Sequence, residues 1–368
     1  MIKESSEGLR EARASRGDLI VREVDPSNLE MPFATLDGFT TPNELFYVRC
    51  HFAIPEIAER DWSLSIEGAV ENQFQLRYDE LLTMESRTIS VTLECAGNNR
   101  IFLEPKVKGV QWGLGAVGNA AWKGVPLSAL LARAKVNSRA TEIILEGIDA
   151  GPVEKTPRPA GDVHFARSIP LAKAMDDVLL AYEMNGERLR AVHGFPLRAI
   201  VPGWYAMASV KWLRRIVVTD KPFNGYYQSI DYAYWERRGE LATLVPITSM
   251  QVKAEIAWPA TGDVLPANSD VRVHGAAWTS GAEITVVELS LDAGVTWKKA
   301  QLLGEHEENA WRLWQFDWPT PDKPGKQTLI VRATDSLGRT QPLVHDPDRG
   351  TYMISHRLPI EVEVRQTA

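Results

Sequence analysis

The stretch TLECAGNNR, residues 92–100, carries Cys95, one of only two cysteines in this 368-residue chain. Its first residues are typical of a β-strand and AGNN is typical of a turn, so we predict that Cys95 lies where a strand ends in a loop. Loop positions held by a strand often present functional groups. Arg100, Lys106 and Lys108 follow closely, and positive charge near a thiol favours its thiolate form.

The low cysteine content limits what Cys95 can do. Two cysteines in a long chain do not make a disulfide framework. The seven histidines are scattered, with no HExxH or CxxC spacing that would indicate zinc. Two interpretations stay open at this point. Cys95 is either a buried and inert side chain, as free cysteines commonly are, or a thiolate that acts as a nucleophile or a metal ligand.

The composition is that of an ordinary globular protein, with 44% hydrophobic and 24% charged residues. The length favours two domains over one. The formal net charge is −7 and no Lys/Arg block stands out, which argues against nucleic acid or an anionic membrane as a partner. The sequence has no apolar stretch of membrane-spanning length, and its N-terminal residues lack an apolar signal segment, so we expect a cytoplasmic protein.

The first part of the chain is expected to be an α+β domain over residues 19–245, preceded by a charged, mobile arm over residues 1–18. The clearest helix is predicted at residues 126–136, where Pro126 suits the first turn and the apolar residues share one face. Short β-rich runs predict strands at residues 46–52, 62–68, 88–94, 142–147, 197–201 and 215–219.

The second part, residues 246–368, is predicted to be an all-β sandwich of immunoglobulin-like architecture. Turn signals separate short alternating runs at residues 271–277, 284–291, 312–318, 328–333 and 358–364. The region has no cysteine, which excludes the disulfide-bonded antibody type. Six of the 12 tryptophans fall here, a surplus that fits either core packing or a subunit interface.

A glycine-rich segment, GLGAVG at residues 113–118, matches the dinucleotide-binding pattern GxGxxG. That pattern has meaning only between a strand and the helix that it opens. Here Gly124 and Pro126 would interrupt such a helix, and Ser138 stands where an acidic residue should bind the ribose. The segment is therefore interpreted as a glycine-rich loop packed closely against something, and a nicotinamide site is disfavoured.

Cationic residues gather in two further segments. LFYVRCH, residues 45–51, ends an apolar run with Arg49 and His51; HGFPLR, residues 193–198, is followed by SVKW at 209–212. Arginine, histidine and lysine from separate segments are what a phosphate or another oxyanion requires. Each of these residues, taken singly, also has a purely structural interpretation. His193 is then a turn histidine whose hydrogen bonds are satisfied within the fold, and Arg49 pairs with a carboxylate.

Several motifs, in this order, resemble the sulfite oxidase family of molybdenum enzymes. They are FYVRCH (46–51), ECAGNNR (94–100), SIPLAKAM (168–175) with LAYEMNG (180–186), and HGFP (193–196). LSLDAGVTW (289–297) and WRLWQ (311–315) resemble that family's dimerisation domain. The resemblance extends from about residue 19 to the end and implies a homodimer formed through the second domain. It also implies a stand-alone molybdenum domain, with no haem, flavin or NAD.

The resemblance implies a molybdopterin (pyranopterin dithiolene) cofactor with one molybdenum. It also implies that Cys95 is the protein thiolate on the metal. A soft thiolate ligand suits such a metal centre. By the same resemblance, the residues that would hold the cofactor are Tyr47, Val48, Arg49, Cys50, His51, Asp149, His193, Arg198, Ser209, Val210 and Lys211. Those that would line an anion pocket beside the metal are Arg49, Arg100, Trp112, Tyr232 and Arg349.

The implied activity is oxidation of sulfite to sulfate by oxo transfer at a cysteine-ligated dioxo-molybdenum centre. Electrons would pass singly to an external acceptor, which could be a cytochrome, another carrier or oxygen. The chain departs from the family's common pattern at Cys50, where asparagine is usual, and at Asn99, where arginine is usual. Two alternatives stay open: nitrate or sulfoxide reduction within the same superfamily, and a non-enzymatic β-sandwich interaction protein with an inert Cys95.

Overall fold

Short strands dominate both parts of the chain in the computed structural model, which describes residues 17–153 and 155–366. Most of the predicted mobile arm, residues 1–16, therefore lies outside the described residues. The strands up to residue 246 are β1 (Ile20–Glu23), β2 (Asn28–Glu30), β3 (Val48–Arg49), β4 (Ser63–Gly68), β5 (Phe74–Arg77), β6 (Arg87–Glu94), β7 (Val117–Pro126), β8 (Glu142–Gly151), β9 (Val163–Pro170), β10 (Leu179–Met184), β11 (Glu187–Arg188), β12 (Arg198–Ile200), β13 (Leu213–Thr219), β14 (Ala233–Arg238) and β15 (Leu241–Pro246).

Three α-helices accompany these strands within the described residues: α1 (Tyr78–Leu82), α2 (Leu127–Ala134) and α3 (Leu171–Asp176). Helix α2 confirms the prediction at 126–136, and its buried side chains are Leu127, Leu130, Leu131 and Ala134. None of the helices in this part of the chain has the length and apolar character needed to span a bilayer.

Two five-stranded sheets form the body of this first part. One contains β11, β10, β7 and β6 in that order, with β12 also paired to β10; the other has the order β5-β4-β13-β8-β9. Strand β6 pairs with β7 along its whole length, from Arg87 to Glu94. Cys95 follows directly, so the predicted strand end before the cysteine is confirmed.

The predicted strand at residues 46–52 is wrong in extent, because only Val48 and Arg49 pair as a strand, with β2. The reason lies just upstream, where the backbone N–H groups of Leu45 and Phe46 both donate to the carbonyl of Pro42. That turn uses the groups that a longer strand would need for its ladder.

The glycine-rich segment at 113–118 leads into a strand, since β7 begins at Val117. Close packing explains its composition. The N–H groups of Gly113 and Gly115 donate to the Glu30 carboxylate at 2.8 and 3.0 Å. A Cβ atom at Gly115 would lie 1.7 Å from the Met31 carbonyl oxygen, a distance that excludes any side chain.

The second part of the chain is a two-sheet β-sandwich. Its strands are β16 (Lys253–Trp258), β17 (Val264–Pro266), β18 (Asp270–Trp278), β19 (Ile284–Ser290), β20 (Lys298–Lys299), β21 (Gln301–Leu303), β22 (Arg312–Pro319), β23 (Gly325–Asp335) and β24 (Pro359–Arg365). The sheet orders are β16-β18-β22-β21 and β17-β24-β23-β19-β20. The predicted α+β domain followed by an all-β sandwich is confirmed.

The tryptophans of the sandwich mostly pack inside the chain. Trp314 and Trp318 lie in the sandwich core. Trp278 and Trp311 instead belong to the large core that the first part of the chain builds. The two parts thus share buried apolar surface, which stabilises their contact.

A buried ion cluster also joins the two parts. Lys253, at the start of β16 and 1% exposed, lies 2.8 Å from a Glu94 oxygen and 3.1 Å from a Glu255 oxygen. The indole nitrogen of Trp278 donates to the other Glu94 oxygen at 2.9 Å. The Asn99 amide donates to Glu255 at 2.6 Å. Because Glu94 precedes Cys95, this cluster anchors the cysteine-bearing strand to the sandwich.

Replacing Glu255 by glutamine should change how stability depends on pH. Burial raises the pKa of Glu255 from 4.5 to about 7, although Lys253 opposes the rise. A carboxyl group with a raised folded-state pKa contributes stability at low pH, and that contribution is lost as the pH rises through about 4.5 to 7. Between roughly pH 5 and pH 8, the wild type should therefore lose on the order of 2 kcal/mol relative to Glu255→Gln.

Thermal unfolding midpoints across this pH range measure the difference. Glu361→Gln, at an exposed position in β24, is the matched control and should follow the wild-type profile. Wild type and Glu255→Gln with parallel profiles would show that Glu255 does not titrate in this way.

Candidate functional site

A cavity of about 650 Å³, counting its opening to solvent, lies at the end of β6 in the first part of the chain. Strand β3, the end of β8 and the segment 192–212 supply its other walls. The sequence-predicted residues that line it are Tyr47, Arg49, His51, Cys95, Asp149, His193, Arg198, Ser209, Val210, Lys211 and Tyr232.

Cys95 faces this cavity and is 6% exposed. Its backbone N–H donates to the Ala116 carbonyl at 2.9 Å, and its own carbonyl accepts from Asn98 at 2.9 Å. Burial raises the pKa of the Cys95 thiol, while Arg49 and Arg100 oppose that rise. Within residues 17–153 and 155–366, no group of three or more His, Cys, Asp or Glu side chains is placed to hold a metal ion.

Arg100 is held in a cradle of glycines beside Cys95. Its Nε donates to the Thr351 carbonyl at 3.0 Å and its Nη1 to the Val110 carbonyl at 2.8 Å. A Cβ atom at Gly97 would lie 2.2 Å from Arg100 Nη2, so only glycine leaves room for the guanidinium. Arg100 is buried, although it does not line the cavity directly.

Arg49, His51 and Tyr232 also line the cavity. His51 Nε2 lies 2.7 Å from the Tyr232 hydroxyl, and the His51 ring stacks on Phe165 at 4.4 Å. Burial, together with Arg49 and Lys211, lowers the pKa of His51 well below its usual value, so the ring is neutral. Burial also raises the pKa of Tyr232 well above 10, so its hydroxyl stays protonated and can donate.

Arg198, Lys211 and His193 cluster at the other end of the cavity. Arg198 donates to the carbonyls of His193 and Ser209 at 3.0 and 3.2 Å. Lys211 Nζ donates to the Val192 carbonyl at 2.9 Å. Burial lowers the pKa of His193 to about 3 and that of Arg198 to about 10, so at neutral pH the histidine is uncharged and the arginine is cationic.

Two buried polar atoms near this cluster lack hydrogen-bond partners, as expected where a polar ligand binds. Arg198 Nε and Asp149 Oδ1 are buried and have no hydrogen-bond partner among the described residues. Burial raises the pKa of Asp149 to about 6, and Lys211 opposes the rise. Buried polar groups rarely stay unpaired. A ligand that carries both a phosphate and N–H donors, as molybdopterin does, would satisfy these atoms, so the residues present fit that cofactor.

Five of the predicted residues do not line the cavity. Val48 and Cys50 are buried behind it, with Cys50 Sγ 3.4 Å from Lys211 Nζ. Trp112 is fully buried and packs edge-on against Tyr47 at 6.4 Å. The remaining two are Arg100, in its glycine cradle, and Arg349. Arg349 contacts Asp346 at 3.5 Å and Met353 at 3.3 Å, and it lies over the Tyr234 ring.

Sequence reasoning missed Tyr352, which the sandwich part contributes to this site. Its ring lies 5.1 Å from that of Tyr232 and 5.0 Å from the guanidinium carbon of Arg100. The neighbouring Met353 N–H donates to the Ala96 carbonyl at 2.8 Å, which holds the loop against Cys95. The sequence shows an aromatic residue three positions after Arg349, but it does not show that this residue packs against Tyr232 and Arg100.

Arg167 was also missed. It is fully buried in β9 and donates to the backbone carbonyls of Tyr227, Tyr232 and Ile247. These bonds fix the backbone on both sides of the π-helical turn Tyr227–Asp231 and so position Tyr232. The sequence around Arg167 gives no sign of these distant partners.

Comparisons with known proteins agree with this geometry. Residues 51–227 match the oxidoreductase molybdopterin-binding domain, and residues 245–349 match the Mo-co oxidoreductase dimerisation domain. The crystal structure of the sulfane dehydrogenase SoxCD from Paracoccus pantotrophus is similar, with a TM-score of 0.80 and 27% identity, over 95% of this chain and 88% of that chain.

Curated relatives include sulfite oxidases and nitrate reductases. Drosophila melanogaster mitochondrial sulfite oxidase is 37% identical over 86% of this chain and 58% of its own length. Gallus gallus sulfite oxidase is 33% identical over 88% of this chain and 73% of its own length. Arabidopsis thaliana nitrate reductase [NADH] 1 is 33% identical over 86% of this chain and 38% of its own length.

The chain spans 58% to 61% of the length of the mitochondrial sulfite oxidases that it matches in fly, rat and human. It carries both matched domains, the molybdopterin-binding domain followed by the dimerisation domain. The chain therefore belongs to the sulfite oxidase family of molybdopterin-dependent oxidoreductases.

Proposed function

We propose that this protein oxidises sulfite to sulfate with a molybdopterin cofactor whose molybdenum is bound by Cys95. One observation carries the proposal: Cys95 lines a cavity together with Arg49, Arg198 and Lys211, and Arg49 and Arg100 lie near enough to its thiol to oppose the rise in its pKa. Arg49 and Arg100 suit a small dianion, and Arg198 with Lys211 suits a phosphate. When bound, the molybdopterin centre supplies oxygen-atom transfer and accepts two electrons.

The cofactor would be held at the end of the cavity away from Arg100. Arg198 and Lys211 would bind its phosphate, and Ser209 and Val210 would approach it through their backbone. Asp149, with its unpaired Oδ1, would accept from an N–H group of the pterin. The neutral His193 already contacts the Asn43 carbonyl at 3.1 Å and would keep the loop in place. Tyr47, Arg49 and His51 would form the adjoining wall.

The reaction is SO₃²⁻ + H₂O → SO₄²⁻ + 2H⁺ + 2e⁻. Arg49 would bind the sulfite oxygens and stabilise charge that develops on them, Arg100 would add its positive charge from behind the cavity lining, and the Tyr232 hydroxyl would donate a hydrogen bond beside them. These groups are preorganised and buried, which strengthens their effect on a bound anion. The two electrons would leave singly to an external acceptor, and the second domain would form a homodimer, as its matched family name indicates.

The second candidate is reduction of another oxyanion, and the similarity to plant nitrate reductase favours it. Nitrate would use the same arginines. The direct test supplies the molybdenum-loaded protein with sulfite and an artificial one-electron acceptor, and in parallel with nitrate and an electron donor. Sulfite-dependent reduction of the acceptor supports the proposal. Turnover of nitrate without turnover of sulfite would overturn it, and purified protein without molybdenum would favour a non-enzymatic role.

Replacing Arg100 by glutamine should mainly weaken sulfite binding. The substitution removes one buried positive charge beside the anion site and keeps hydrogen-bonding capacity. A buried unit charge near the site contributes on the order of 2 kcal/mol to the binding of an anion, so KM should rise by roughly tenfold to a hundredfold. Steady-state kinetics with sulfite measures this. An unchanged KM would place Arg100 outside the anion pocket.

A further inference from the structure

A charged cluster that does not line the cavity packs against Tyr232 and Arg100, two residues of the proposed anion pocket. It consists of Lys155, Asp231 and Tyr352. We propose that Lys155 masks the charge of the Asp231 carboxylate and thereby sets the affinity of the pocket for dianions. This inference rests on the anion pocket of the proposed function and adds a residue that controls its specificity.

Lys155 comes from the loop between β8 and β9 and reaches across to Asp231. Its backbone N–H donates to the Tyr226 hydroxyl at 3.0 Å, and its Nζ forms an ion pair with Asp231. The same Nζ lies 5.6 Å from the centre of the Tyr352 ring. The Tyr352 hydroxyl donates to Asp231 Oδ1 at 3.2 Å. The carboxylate thus has a cation and a hydroxyl as partners.

Asp231 is close enough to act on the anion pocket. It directly precedes Tyr232, and its partner Tyr352 packs against both Tyr232 and Arg100. Burial lowers the pKa of Arg49, but the nearby groups, Asp231 among them, raise it above its usual value. The Asp231 charge is therefore felt within the pocket. A carboxylate beside the pocket, such as that of Asp231, repels an incoming dianion unless a cation neutralises it.

Stability is a poor explanation for the pair. The Lys155 side chain is 52% exposed, and ion pairs of that exposure contribute little to folding. The Lys155 charge matters instead because it changes the electrostatic field at the pocket, and that field determines how strongly charged ligands are attracted. The masking role also differs from direct attraction of sulfite by Lys155, and a double variant separates the two.

The test compares wild type, Lys155→Met, Asp231→Asn and the double variant. Two quantities are measured: the KM for sulfite and the Kd for sulfate, an unreactive dianion. Lys155→Met should raise both by roughly tenfold, because the Asp231 charge is then exposed, with kcat changed less than twofold. The double variant should return both to within about twofold of wild type, since no charge then needs masking. Arg158→Met, an exposed change in the same loop, is the matched control and should behave as wild type.

Two results would overturn the masking role: no change in Lys155→Met, or a double variant as weak as Lys155→Met. Sulfate binding keeps this test separate from the proposed function. If no variant oxidises sulfite, the proposed function fails, and the Kd values for sulfate still decide the role of Lys155. If wild type oxidises sulfite while KM and Kd stay flat across the variants, only the masking role fails.

Discussion

Cys95→Ala is expected to abolish sulfite oxidation, lowering kcat by at least about a thousandfold, while the protein stays folded. The change removes the one cysteine side chain that lines the cavity, the proposed metal ligand, and a small apolar residue is tolerated where Cys95 is already buried. The cofactor should stay bound through Arg198, Lys211 and their neighbours. The measurements are sulfite turnover, molybdenum content and the thiolate-to-metal charge-transfer absorption, which should disappear.

Cys50→Ala is the matched control, because Cys50 is equally buried and lies outside the cavity lining. It should keep both the absorption band and most of the activity, with any loss arising from its contact with Lys211. A Cys95→Ala protein that still oxidises sulfite at the wild-type rate would remove Cys95 from the metal site.

Lys253→Met should give the largest loss of stability, about 3–5 kcal/mol. Lys253 is the single cation between Glu94 and Glu255 in the buried cluster. Removing it leaves carboxylate charge in the interior without compensation, which costs far more than the lost attraction. Because Glu94 adjoins Cys95, the same variant should also perturb the thiolate-to-metal absorption. Chemical or thermal unfolding of the holoenzyme measures the loss.

Lys123→Met provides the comparison for Lys253→Met. Lys123 also pairs with a glutamate, Glu183, at 3.0 Å, but its side chain is 41% exposed. That variant should cost at most about 1 kcal/mol. If the two lysine variants lost equal stability, the ion cluster between the two parts of the chain would not have the importance assigned to it.

Local sequence signals predicted the features that depend on neighbours in the chain. The strand before Cys95 and helix α2 follow from patterns within ten residues, and both are present. Strand β3 was predicted too long because an apolar run does not reveal that a turn at Pro42 takes up its backbone donors. Apolar content is shared by strands and by buried turns, so the sequence alone does not separate them.

Contacts between distant segments could not be predicted from the sequence. Glu94 and Lys253 are 159 positions apart, and Arg100 and Thr351 are 251 apart. In the sequence, Glu94 is one polar residue in a strand, and Tyr352 is one aromatic residue in an irregular loop. Only the packing of the sandwich onto the first domain brings them to Cys95. The resemblance to a known family named the cofactor site but not these supporting residues.

The most direct test of the account is a single-turnover experiment. The molybdenum-loaded protein is mixed with sulfite without oxygen or acceptor, and sulfate is counted per molybdenum atom. We predict one sulfate per molybdenum, with two electrons recovered per sulfate when a one-electron acceptor is then added. Absence of sulfate from protein that is fully loaded and that reduces nitrate would contradict the account.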